Sequence, residues 1–195
     1  MLVTGAWFVG DPALARDRLS LLTAWLCFAL LVAAMGIGPL QALRTRQPVL
    51  NNLLRRDLGI WAALTGLAHL TVATAVVMRP AYFRAYITGP PENPLPGWAG
   101  WIGTASIVAG YLVGLLVLML LALSNNRSLA RLGPARWKRL QRGAIVALFL
   151  TIAHGLIFQV IEGRTGGWLA ALVVVSAAIL GLRWRARRAV VTGTG

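Results

Sequence analysis

The feature that most constrains this chain is a series of apolar runs too long to form the core of a soluble domain of its size. The first, LSLLTAWLCFALLVAAMGIGPL from about Leu19 to Leu40, already reaches the roughly 20 residues that a helix needs to cross a bilayer. Four more follow, at about Leu58 to Met78, Ile102 to Leu123, Gly143 to Ile161 and Trp168 to Leu182. Hydrocarbon offers unpaired backbone amides no water, so such runs are driven into helices that satisfy their own N–H and C=O groups. Composition agrees: 58% of the 195 residues are hydrophobic and 12% charged, where a soluble domain carries about a quarter charged. The expected fold is all-α and integral to the membrane, a five-helix transmembrane bundle with the lipid bilayer as its solvent. No internal repeat and no second folded domain is read.

Positive charge is in large excess, 19 Lys+Arg against 5 Asp+Glu, and its placement separates two explanations. A nucleic-acid binder would gather it on one face, whereas here it flanks the apolar runs and fills alternate loops. Arg44, Arg46, Arg55 and Arg56 lie between the first and second runs. Arg127, Arg131, Arg136, Lys138, Arg139 and Arg142 lie between the third and fourth, and Arg183, Arg185, Arg187 and Arg188 follow the fifth. These are fourteen of the nineteen basic residues, all on one side of a five-span chain, and four of the five acids fall on the other. The positive-inside rule makes the basic side cytoplasmic, so the N-terminus is expected outside and the C-terminus in the cytoplasm. No nucleic-acid partner is expected. The first eighteen residues hold Asp11, Arg16, Asp17 and Arg18 without a long apolar stretch, so no cleaved leader is read and the first run is expected to be retained. Cys27, the single cysteine, lies within an apolar run, which excludes a disulfide framework and suits a small buried hydrophobe.

Two segments between the runs carry features of their own. The outer RPAYFRAYITGPPENPLPGW is rich in proline and bears Tyr82, Phe83, Tyr86 and Trp98, with Trp101 just beyond. It reads as an interfacial segment with an aromatic belt, or alternatively as a docking surface. The inner SNNRSLARLGPARWKRLQR reads as a short basic amphipathic segment along anionic headgroups, with a phosphate-bearing cofactor or partner as the weaker alternative. On the third run Gly103, Gly110 and Gly114 are expected to serve helix packing.

The chain's only two histidines share a depth. His69 follows Arg56 by thirteen residues and His154 follows Arg142 by twelve. Both runs enter from the basic side, so at 1.5 Å per residue each ring sits roughly 18–20 Å along its helix, past the midplane. An imidazole in hydrocarbon normally faces the bundle interior with a partner. Two rings level with each other on separate helices can act as axial ligands to the iron of a haem held edge-on in a bundle core. Gly59, Gly66 and Ala73 recur every seven residues beside His69 and would leave a groove, and Ala147, Thr151 and Phe158 share the side of His154. The rival reading is an ordinary hydrogen bond to a serine, a threonine or a backbone carbonyl, for which Thr65 or Thr151 could serve. Zinc or copper would lack a third ligand at that level, and a proton relay would call for a carboxylate inside the spans.

RRDLGIWAALTGLAHL and LGPARWKRLQRGAIVALFLTIAHG resemble segments of the ferric reductase-like transmembrane domain family. Within it, they resemble most the haem-binding membrane subunits of bacterial methionine-sulfoxide reductase systems. The resemblance covers roughly residues 18 to 188 and is most specific in the arginine-led helix with its histidine and in L-G-x-x-x-W-x-x-L. It implies a bundle holding haem b in a bacterial inner membrane, with His69 and His154 as axial ligands and electrons relayed towards an outer-face redox partner, such as a molybdoenzyme. The family commonly has a further histidine where this chain has Gln141, so one haem is expected. The extra N-terminal helix of those subunits is not seen. That leaves residues 1–18 as a short outer tail, 19–183 as the haem-binding domain and 184–195 as a basic cytoplasmic tail. No G-x-G-x-x-G is present, so the electrons are expected from a cytoplasmic flavoprotein or from quinol. The family also implies FMN or quinone, but no residue locates either. The rivals from other classes are a haem-free structural or assembly subunit, a direct reductase of ferric chelates and, least favoured, a small transporter.

Overall fold

The computed structural model describes residues 12–45, 53–88, 97–164 and 166–192, and the elements among them are all helical. Residues 1–11, 46–52, 89–96, 165 and 193–195 lie outside the described residues, and with them most of the expected N-terminal tail, Arg46 and the proline-rich centre of the loop before the third span. Five stretches are helical, long and apolar enough to cross a membrane: Ala15–Thr45, Leu53–Val77, Gly97–Leu123, Asn126–Ile161 and Gly167–Ala189. These stretches contain the five apolar runs, save Met78 at the end of the second.

The helices are α1 (Pro12–Thr45), α2 (Leu53–Val77), the single turn α3 (Pro80–Phe83), α4 (Gly97–Leu123), α5 (Asn126–Gln141), α6 (Gly143–Ile161) and α7 (Gly167–Thr192). A π-helical turn, Arg84–Thr88, follows α3. Helix α6 has the bounds expected from the sequence, but α1, α2, α4 and α7 outrun their apolar stretches. Residues assigned to tails, Arg16 to Arg18 and Trp184 to Arg188, are helical. Arginine is a good helix former, and its stem can lie along the apolar end of a span while the guanidinium reaches water. A charge at the membrane boundary therefore need not end the helix.

The five long helices close into a ring: α1 packs on α2, α2 on α4, α4 on α6, α6 on α7, and α7 back on α1. Their outer faces expose Leu22, Leu115, Phe149 and Val174, while Ala62, Ala63, Ala147 and Ser106 are buried inside. Large apolar groups outward and small residues at the contacts is the arrangement that lipid permits, since the acyl chains solvate leucine as well as another helix would. Gly103 and Gly114 fill the packing role expected of them. A Cβ on Gly103 would lie 2.5 Å from the Tyr86 ring, and one on Gly114 would lie 2.6 Å from Leu70.

The two connecting segments are more structured than read. Helix α5 breaks at Gly133, whose φ of 72° no L side chain adopts easily, because Pro134 disfavours α-helical backbone in the residue before it. The Asn125 side chain caps α5 by accepting from the Ser128 amide at 2.8 Å, and Trp137 Nε1 donates to the Leu123 carbonyl at 2.8 Å. In the segment between α2 and α4 the aromatic residues divide. Trp98 and Trp101 are exposed and suit an interface, whereas Tyr86 is buried and Tyr82 half-buried.

Candidate functional site

Inside the ring runs a cavity of about 510 Å³, within the 300–1,000 Å³ usual for small-molecule and cofactor pockets. Its wall includes both histidines, together with the Gly59, Gly66 and Ala73 stripe and with Ala147, Thr151 and Phe158. The groove read beside His69 and the shared side read beside His154 thus both face this cavity. Its two ends differ in charge. Arg55, Arg56, Lys138, Arg142 and Arg183 line one, and Asp17, Tyr82, Glu162 and Arg164 line the other.

Helix α2 positions His69 beside α1, where its Nδ1 lies 2.9 Å from the Ser20 carbonyl oxygen and 3.4 Å from Thr23 Oγ1. Helix α6 positions His154 beside α4, with Nδ1 2.7 Å from the Ser106 carbonyl oxygen and 3.3 Å from Ser106 Oγ. A carbonyl oxygen only accepts, so each Nδ1 carries the proton and donates it, leaving the lone pair on Nε2. Two histidines on different helices are held in the same tautomer by the same device. Backbone carbonyls flanked by Ser and Thr hydroxyls are partners of the kind the hydrogen-bond reading allowed, but the two threonines named for it are not used. Thr65 donates to the Trp61 carbonyl of its own helix at 2.8 Å, and Thr151 Oγ1 has no partner among the described residues. Serines at matching depth on the antiparallel neighbours were the available signal.

Neighbouring residues set the ring positions. A Cβ on Gly110 would lie 2.9 Å from His154 Cε1, so the missing side chain lets that ring lie against α4. Phe158 stands one turn on, 5.0 Å from the His154 ring, and Tyr86 is 5.9 Å beyond Phe158. Cys27 Sγ faces the Ala62 carbonyl at 3.3 Å, and a Cβ on Gly66 would lie 3.0 Å from it, so the cysteine serves α1–α2 packing. Two buried polar atoms on the cavity wall, Thr151 Oγ1 and Gln159 Oε1, lack a protein partner among the described residues. Gln141 lies at the basic end, on the wall but away from the histidines: thirteen residues separate it from His154, about 20 Å along helical chain.

The end opposite the basic one is closed by a polar cluster that the sequence did not reveal. Asp17 of α1 pairs with Arg79 after α2, with a second contact at 3.2 Å. Tyr86 and Tyr82 donate to the Glu162 carboxylate at 3.0 and 3.2 Å, and Arg164 stands 3.6 Å from it. Burial, and then the Glu162 charge, push the Tyr82 phenol up to about 12, and the same causes push Tyr86 further in that direction.

In comparisons with known proteins, no family model matches the chain, and no curated protein or solved structure does.

Proposed function

We propose that the chain is the membrane cytochrome b subunit of an electron-transfer system, holding one haem b between His69 and His154. The observation that carries this reading is the paired tautomer: each Nδ1–H is committed to a backbone carbonyl, and each imidazole lines one shared cavity through a helix of its own. A histidine that ligates metal through Nε2 ordinarily donates its other N–H to such an acceptor, which fixes the ring and raises its basicity. The cavity suits the group in other respects. Its wall is mainly apolar and glycine-rich at the histidines, and Thr151 and Gln159 offer unpartnered polar atoms to polar substituents.

His69 and His154 would hold the haem, which when bound would supply a one-electron carrier suited to electron transfer rather than to oxygen chemistry. The chain's residues orient the two imidazoles through backbone carbonyls on α1 and α4 and surround them with a mainly apolar wall. Loop charge supports an outer N-terminus and a cytoplasmic C-terminus, and the resemblance adds the inner membrane of a bacterial cell. His154 lies eight residues from Glu162 and twelve from Arg142, about 12 and 18 Å along α6, so the ligands stand nearer the outer face. That favours an outer acceptor, and the resemblance in RRDLGIWAALTGLAHL points to a reductase docked there, such as a molybdoenzyme. Quinol or a cytoplasmic flavoprotein is the proposed donor.

Sealed proteoliposomes test the direction of transfer. With the chain reduced by a quinol, a membrane-impermeant ferric acceptor should reoxidise the chromophore when added on the face bearing Trp98 and Trp101. Reoxidation only from the arginine-rich face would overturn the proposed direction.

A further inference from the structure

The two histidines do not use the whole cavity. Its basic end is lined by Arg55, Lys138, Arg142 and Arg183, and Arg55 precedes His69 by fourteen residues, about 21 Å along α2. Between these levels the wall is apolar, including Ala62, Ala63, Val117, Leu121 and Ala144.

The cations are brought to this rim by the fold. Pro39 lies inside α1 and has no N–H, so the Met35 carbonyl four residues earlier loses its helical donor. Arg183 of α7, half-buried, reaches that carbonyl with Nη1 at 3.5 Å. On the same stretch of α1 the Arg55 guanidinium lies over Gly38, where a Cβ would stand 3.3 Å from its Nη1. Lys138 and Arg142 arrive from α5 and the start of α6 and are exposed. The described carboxylates on the cavity wall, Asp17 and Glu162, are both at the opposite end. Asp57 lies 4.0 Å from Arg56 with its side chain 61% exposed.

We propose that this end of the cavity binds one anionic phospholipid, its phosphate among Arg142, Arg183, Arg55 and Lys138 and an acyl chain in the apolar space below the histidines. Cations above an apolar slot match an amphiphile better than a soluble anion, which would leave the slot unfilled. The bilayer around an arginine-rich end supplies such a molecule at high local concentration. The Trp137 indole, on the same wall and tied to the Leu123 carbonyl, suits the level of a headgroup. This site uses neither histidine, so its test does not depend on the haem reading.

The full-length chain, purified in mild detergent and exposed to equimolar phosphatidylglycerol and phosphatidylcholine, would be examined by native mass spectrometry for retained lipid. One phosphatidylglycerol should remain in preference to phosphatidylcholine. Arg183→Gln and Arg142→Gln should each lower its retention about fivefold, the effect of removing one cation near an anionic headgroup. Arg136→Gln, an equal charge change on the exposed side of α5 and off the cavity wall, should leave retention unchanged. Arg142 is exposed at a helix junction, so its variant tests the site even if losing the Met35 contact disturbs α1. Equal retention of the two lipids would overturn the proposal, as would an equal loss in Arg136→Gln. Capture of flavin mononucleotide by the lipid-free chain, lost in the same two variants, would also overturn it by assigning the cations to a soluble phosphate.

Discussion

His154 occupies its place because Gly110 has no side chain, and that makes Gly110 the most sensitive small residue near the proposed ligands. Gly110→Ala puts a methyl 2.9 Å from His154 Cε1, and such overpacking costs about 1–3 kcal/mol or displaces the ring. Its haem-to-protein ratio should fall severalfold, whereas Gly181→Ala, with nothing within 4 Å of the new methyl, should match wild type. Ser106 separates two contributions to the same site. Ser106→Ala deletes a hydroxyl that is 1% exposed but keeps the carbonyl that holds Nδ1. Such a variant should retain chromophore and shift only its midpoint potential, as read by redox titration. At the other end of the cavity Tyr82 gives a pH dependence. Its folded pKa of about 12 lies above its ordinary value of 10.0, so between those values the unfolded chain has released a proton that the folded one keeps. Stability from this group is therefore full below about pH 10 and falls as pH rises from there to about 12. Tyrosinate absorbance should show a titration near pH 12 that Tyr82→Phe removes, with Tyr86 later still.

Among the elements, the long spans were the most legible, because in lipid a run of about 20 apolar residues has a single solution and needs no periodicity to reveal it. Their ends were less so: Arg16, Arg18 and Arg183 to Arg188 sit on helices that continue through them. The histidine partners were the least legible part of the site. Ser20 and Ser106 act through backbone carbonyls, and a carbonyl is the same in every residue. The side chains that seemed able to serve, Thr65 and Thr151, do not reach the rings. The basic segment was read as one amphipathic stretch, but α5 turns at Gly133, and the signal was there in the Gly-Pro pair. Gly133→Ala should destabilise that turn by about 1–2 kcal/mol, the cost of forcing an L side chain into left-handed backbone. Faster amide exchange over residues 126–132 would register the loss.

For the molecule as a whole, the ring of five helices explains how two residues 85 positions apart come to share one cavity. Helices α2 and α6 are not neighbours in that ring; each histidine is braced by the helix beside it, His69 by α1 and His154 by α4. The proposed haem site has one demanding consequence, that neither imidazole suffices alone. The measurement that tests it most directly is a dithionite-reduced minus air-oxidised absorbance spectrum of the purified chain, with its haem-to-protein ratio. It would be taken alongside His69→Ala and His154→Ala. A b-type spectrum at close to one haem per chain, lost in both variants, is the predicted result. A colourless wild type from cells supplied with ample haem, or a full chromophore surviving in either variant, would contradict the account.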